Sequence, residues 1–318
     1  MIDAGSMAQV FRSSASYARS KPGPALTIGN FDGVHLGHMH LLQAVVERAR
    51  EDGVPACVFT FSPPPRVVLQ PERCPPRIMT LEQRIDRLGE VGVDHVVVEP
   101  FDLEYAERSA EWFAREVLAR RLAPSSLVVG HDFRFGRRRE GRTEDLNRLL
   151  PDLPVHQVDV LHLDEARPSS SRIREAVAEG RVADAAAMLG RSYEMRGQVV
   201  HGDRRGRELG FPTANLNTTA ELLPDNGVYA VRVSVTSGEA TGRWAGVANL
   251  GIRPTFEGRR YRVEAHLLDY TGDLYGADIA LEFVAHIRGE RRFAGPEALA
   301  AQIQEDIARA REILGEDG

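Results

Sequence analysis

The chain has 318 residues, 42% hydrophobic and 27% charged, the composition of a globular protein too long for a single core. A formal charge of −6 argues against a nucleic-acid partner, which needs a basic face. No apolar run of about 18 residues occurs, so no membrane span is expected. Cys57 and Cys74 lack metal-ligand spacing and form no disulfide framework, and the N-terminus lacks the layout of a signal peptide. A cytoplasmic location is the expectation. Lys21 is the only lysine, so arginine carries nearly all the positive charge.

Between about residues 23 and 185, strand-like runs alternate with amphipathic helical stretches. The strands are Ala25–Ile28, Ala56–Phe61, His95–Val98, Ser126–Val129 and His156–Val160; Leu81–Val91 and Ala110–Arg121 are among the helices. This rhythm predicts a doubly wound α/β domain: a parallel sheet covered on both faces, with ligands beyond the strand C-termini. The first strand runs into Gly29-Asn-Phe-Asp-Gly-Val-His-Leu-Gly-His38 and then a helical pattern, Met39–Arg48. A helix start offers free backbone N–H groups and a positive dipole end to phosphate. His35 and His38, three residues apart, share a face and can donate to one anion. Gly33 and Gly37 permit close approach of the backbone. Further on, Ser169-Ser-Ser171 followed by Arg172 and Arg174 reads as a serine-capped helix start carrying guanidinium groups.

From about residue 194 the texture changes. Glu194–His201, Gly227–Thr236, Gly242–Asn249, Tyr261–Asp269 and Asp278–Ile287 read as strands. Tyr261–Leu268 alternates like a strand with two unlike faces. The helix at Gly295–Leu314 carries an apolar stripe of Leu299, Ile303, Ile307 and Ile313. A small antiparallel β-barrel with a C-terminal helix is expected. The boundary falls near Gly180–Ser192, dividing the chain into 1–186 and 187–318.

The Gly29–His38 segment resembles the N-terminal signature of the bifunctional bacterial riboflavin kinase/FAD synthetases. The resemblance continues through Thr60–Arg66, Val129–Gly136, Ser169–Arg174, Gly202–Asn215, Gly227–Tyr229, Gly246–Phe256 and Val263–Asp269, in family order. It implies a nucleotidylyl transferase domain that adenylylates FMN with ATP to give FAD and pyrophosphate. A riboflavin kinase barrel would make the FMN. In the first domain it places Gly29, Asn30, Phe31, Asp32, Gly33 and Gly37 around ATP, with His35 and His38 stabilising charge on the phosphates. Asp32 would orient a histidine or Mg²⁺, or serve only the turn. Ser170 and Arg174 match positions that hold the β- and γ-phosphates, and Asp132, Phe133, Arg253 and Arg288 match flavin or phosphate contacts.

In the second domain the resemblance gives Gly202, Gly206 and Arg207 to a loop over the phosphates. Thr213 and Asn215 supply neutral oxygens suited to Mg²⁺. Glu264 matches the general base for the riboflavin 5′-hydroxyl. The implied partners are the small molecules riboflavin, FMN and ATP, and the sequence leaves room for weak self-association.

Three departures fall in the first domain. Pro63-Pro64-Pro65-Arg66 stands where many members have Pro-His-Pro-Arg, replacing a donor with a ring that has none. Arg84 stands where lysine is common, a change that the general loss of lysine would account for, and His131 where an acid is common. Pro64 motivates a second reading, a riboflavin kinase whose adenylylating domain is weak or altered in substrate. A third, a flavin carrier without turnover, would have no use for Thr213, Asn215 and Glu264.

Overall fold

The computed structural model describes residues 8–18, 21–159, 168–202, 210–237, 241–255 and 258–315, with backbone alone over 252–260. The chain forms two compact units, Met1–Pro75 with Thr80–Ser169 and Pro76–Met79 with Ser170–Gly318.

The first unit holds six strands: β1 (Gln9–Phe11), β2 (Ala25–Ile28), β3 (Ala56–Ser62), β4 (His95–Pro100), β5 (Ser126–Gly130) and β6 (Val155–Val158). Their order is β1-β4-β3-β2-β5-β6 and every pair is parallel. One face buries Leu26, Cys57, Phe59, Val97 and Leu127 against Phe113, Val117 and Leu118. The other buries Ala25, Ala56 and Val128 against Val45 and Ala49 of the Leu36–Asp52 helix. Burial on both faces is what a parallel sheet requires, and it explains the near-continuous apolar strand sequences. The neighbours of β2 are β3 on one side and β5 on the other, so the winding reverses there. In sheets of this kind the ligand crevice lies beyond the carboxyl ends of the strands at the reversal, here β2 and β5. The five expected strands are present. β1, three residues at the sheet edge, gave no usable periodicity. The helix expected over Ala110–Arg121 is present as Ala110–Trp112 and a π-wound Phe113–Leu122, closed by Ala123 in the left-handed region at φ 46°.

The second unit is a closed barrel of β7 (Tyr193–Val200), β8 (Ala214–Thr218), β9 (Gly227–Val235), β10 (Gly242–Thr255), β11 (Gly258–Leu267) and β12 (Asp278–Arg288), ordered β10-β11-β8-β7-β12-β9. Its pairs are antiparallel throughout. Val231, Val233, Leu250, Val263, Leu281 and Phe283 fill the interior. β8 was not among the expected strands. Its sequence, Ala-Asn-Leu-Asn-Thr, alternates correctly, burying Ala214 and Leu216, but asparagine is depleted in strands and hides the pattern.

The final helix, Pro296–Leu314, buries Asp306, Ala310 and Leu314, with Ile307 and Ile313 packed beside them. The contact face is therefore rotated from the expected apolar stripe. Asp306, 3% exposed, holds the Arg288 guanidinium through Nε at 2.9 Å and Nη2 at 2.7 Å. A paired, hydrogen-bonded carboxylate can occupy a core position that hydrophobic periodicity alone assigns to an aliphatic residue.

Candidate active sites

In the first unit, the turn after β2 leaves the strand at the crevice and winds tightly before the Leu36–Asp52 helix. Phe31, Gly33 and Val34 all have positive φ, at 50°, 88° and 38°. A β-branched residue in that region is strained, and such strain persists only where packing over-determines the backbone. Here Phe31 and Val34 are 1% and 0% exposed, so buried side chains pin both residues. Phe31 thus serves the turn through packing, with its ring edge-on to His38 at 5.3 Å.

His35 is the N-cap of the helix, and its Nδ1 accepts from the His38 backbone N–H at 3.3 Å. That bond leaves the proton of neutral His35 on Nε2. The two imidazoles stack at 3.7 Å with 17° between planes. Burial first, then the neighbouring His35 and the Arg84 guanidinium, push the His38 pKa well below the usual histidine range. His38 is therefore neutral at pH 7, a hydrogen-bond donor and not a cation. Among the described residues its buried Nδ1 has no hydrogen-bond partner, the condition expected of a polar atom that faces a ligand site. Gly37 keeps the approach open: a Cβ there would lie 3.2 Å from the His35 ring and 3.6 Å from the Pro168 carbonyl oxygen.

Arg84 has a larger part than its reading as a compositional substitute for lysine. It is 5% exposed and donates through Nη1 to the Asn30 carbonyl at 2.6 Å and through Nη2 to the Phe61 carbonyl at 3.3 Å. The forked guanidinium ties the turn to the end of β3 in a way one ammonium would not reproduce. Pro64 follows that strand end as the N-cap of Pro65–Leu69 and makes no side-chain capping bond. Asp132 and His131 are exposed just past β5 at the same carboxyl edge, while Phe133 stacks on Phe135 with centroids 5.6 Å apart. Ser170 opens the Ser170–Ala178 helix, and Arg174 Nε donates to the Pro76 carbonyl at 2.8 Å; both belong to the second compact unit.

In the barrel, register assembles the site. Asn215 pairs with Glu264 on β11 and with Val200 on β7, and Glu264 pairs in turn with Asn249 on β10. Directly paired residues project to the same face. Asn249, Glu264 and Asn215 therefore form one outward polar row. The adjacent row, Ala248, Ala265 and Ala214, faces the core. Glu264 accepts from the Thr213 hydroxyl at 3.3 Å and from Arg262 Nη2. At Gly202 a Cβ would lie 2.1 Å from Asn215 Nδ2, so any larger residue would have to displace that amide. A cavity of about 610 Å³ adjoins this row, lined by Pro212, Thr213, His266, Tyr270, Asp273 and Tyr275 among others.

Asn249, Arg262 and His266 were not singled out from sequence. Arg262 and His266 share the parity of Glu264 on β11, a signal available in the alternation. Arg288, besides its bonds to Asp306, lies 5.6 Å over the Phe293 ring. Gly206 and Arg207 lie outside the described residues, as does the side chain of Arg253. Among the described residues no cluster of three or more His, Cys, Asp or Glu is placed to hold a metal ion. Thr213 and Asn215 instead offer neutral oxygens beside one carboxylate. That set suits Mg²⁺ when substrate phosphates supply the remaining charge.

A doubly wound unit with a histidine-bearing turn at its helix start, followed by a barrel with a carboxylate beside neutral oxygen donors, fits a two-part enzyme of nucleotidyl and phosphoryl transfer. Comparison with known proteins gives the particular family. Residues 18–172 match the family model described as FAD synthetase, and residues 189–314 match that described as riboflavin kinase. The bifunctional riboflavin kinase/FMN adenylyltransferase of Escherichia coli is 40% identical over 295 residues, covering 92% of this chain and 93% of the relative. That of Haemophilus influenzae is 38% identical over 305 residues, covering 95% and 98%. A Streptococcus pneumoniae crystal structure described as a macrolide-efflux protein superposes with a TM-score of 0.86 at 29% identity, covering 96% of this chain and 99% of that one. In the present chain no described helix is long and apolar enough to cross a membrane. The chain belongs to the bifunctional riboflavin kinase/FMN adenylyltransferase family.

Proposed function

We infer that this protein phosphorylates riboflavin to FMN and adenylylates FMN to FAD, each with ATP. The observation that carries the reading is the pairing of both family matches in one chain with a barrel in which Glu264 and Thr213 meet across the strand ladder. In the kinase step Glu264 accepts the proton of the riboflavin 5′-hydroxyl, whose oxygen attacks the γ-phosphorus of ATP as ADP leaves. Thr213 and Asn215 would hold Mg²⁺, which when bound neutralises charge on the ATP phosphates. In the second step an FMN phosphate oxygen attacks the α-phosphorus of ATP and pyrophosphate leaves. His38, neutral and with a buried unpartnered nitrogen, donates to the phosphates, and His35 fixes the helix start beneath them. We assign adenylyl transfer to 1–186 and phosphorylation to 187–318. Ser170, Arg174, Asp132 and Phe133 contribute to the former, and the 202–207 loop to the latter. Free Cys57 and Cys74 fit a reducing, cytoplasmic setting.

The test is purified protein with riboflavin, ATP and Mg²⁺, with flavins resolved by chromatography over time. FMN followed by FAD is expected. Glu264→Ala should abolish FMN formation yet leave FAD formation from supplied FMN, and His38→Ala should do the reverse. Loss of both steps in either folded variant would refute the assignment of the two activities to two sites. Pro64, which has no donor, supports a second reading in which adenylyl transfer is weak. Under that reading FAD accumulates slowly and Pro64→His raises its rate; an unchanged rate rejects it.

A further inference from the structure

The ladder that builds the kinase site stops one residue too early. β8 pairs with β11 only at Asn215–Glu264 and Ala214–Ala265. Continuing the register would set His266 opposite Thr213, but no strand pair forms there. Thr213, whose hydroxyl reaches Glu264, thus lies just beyond the last backbone pair. The residue before it, Pro212, has no N–H with which to extend the ladder. A side chain takes over: His266 Nδ1 lies 2.7 Å from the Pro212 carbonyl oxygen. Its partner being a carbonyl, Nδ1 carries the hydrogen. The same ring stands edge-on to Phe211, with centroids 6.0 Å apart and planes at 87°. His266 is two residues from Glu264 on β11, on the same face, so the residue that grips the 211–213 segment shares a strand with the carboxylate.

We propose that His266 is a positioning residue for phosphoryl transfer: its Nδ1–H replaces the missing ladder bond and holds Thr213 in register with Glu264. The role rests on the kinase reading of this barrel face. It acts through Pro212 and Thr213 and needs no contact between the imidazole and substrate. Small displacements of such groups cost rate more than binding.

Three variants separate this role from its alternatives. His266→Asn puts an amide nitrogen near the position of Nδ1, His266→Gln puts one near that of Nε2, and His266→Ala removes both. FMN formation from riboflavin and FAD formation from supplied FMN are measured for each, along with hydrogen exchange at the Thr213 and Ala214 amides. We expect His266→Ala and His266→Gln to lower kcat for FMN formation by about tenfold, with KM for riboflavin within about twofold. Exchange at Thr213 should rise in both. His266→Asn should restore both readouts, which shows that the barrel itself stays folded, and FAD formation should be unchanged in all three. If His266→Gln keeps full rate while His266→Asn does not, Nε2 touches a ligand and the positioning role is overturned. Undiminished rate and exchange in His266→Ala overturn it as well. Wild-type protein that makes no FMN would instead overturn the kinase reading itself.

Discussion

The two candidate phosphate sites of this protein are built in opposite ways. The N-terminal one is nearly contiguous: ten residues form a strained turn, a helix start and a stacked histidine pair, braced by the distant side chain of Arg84. The barrel site is assembled from β7, β8, β10 and β11, and its contact between Thr213 and Glu264 joins residues 51 apart. The first kind of site stores its geometry in local backbone strain. The second stores it in register, where a one-residue slip would turn every side chain to the other face.

That contrast can be broken most sharply at Glu264. Glu264→Gln keeps the shape of the polar row and removes the base, so FMN formation should fall by about 10²–10⁴ with FAD formation from FMN unchanged. A fall in both rates would mean that the sites are not separable. Gly202→Ala comes next. Its Cβ would displace the Asn215 side chain, a movable amide, so the fold should survive while FMN formation drops by about tenfold or more. A wild-type rate together with an unchanged requirement for Mg²⁺ would show that Asn215 has no part in the reaction.

The smallest expected effect concerns stability. The folded pKa of His38 is depressed, so below the unfolded value of about 6.5 the unfolded chain binds a proton that the native one resists. The stability of the N-terminal unit should then decline as pH falls from about 6.5, and His38→Gln should flatten that part of the profile in thermal melts. An unchanged slope would place the titration elsewhere.

Much of the fold was legible because its signals are local. Strand-like runs alternating with helical stretches marked β2 to β6, and a change of rhythm marked the barrel. The turn at Gly29–His38 announced itself through consecutive residues. Elsewhere the sequence signal was ambiguous for physical reasons. β8 alternates correctly but carries asparagines that serve the site at the expense of strand propensity. Asp306 occupies a buried helical position because Arg288, on another element, pairs with it. Arg84 read as compositional drift until its two carbonyl partners, from different segments, were seen together.

By itself, then, the sequence determined the family and the two architectures and pointed to the Gly29–His38 turn, because each is encoded in nearby residues or in motif order. The tertiary structure decided which side chains meet. Barrel closure sets Asn249, Glu264 and Asn215 in one row, and burial makes His38 a neutral donor. Where the ladder ends, His266 takes up the Pro212 carbonyl. Register and desolvation are properties of the packed chain, and no window along the sequence contains them.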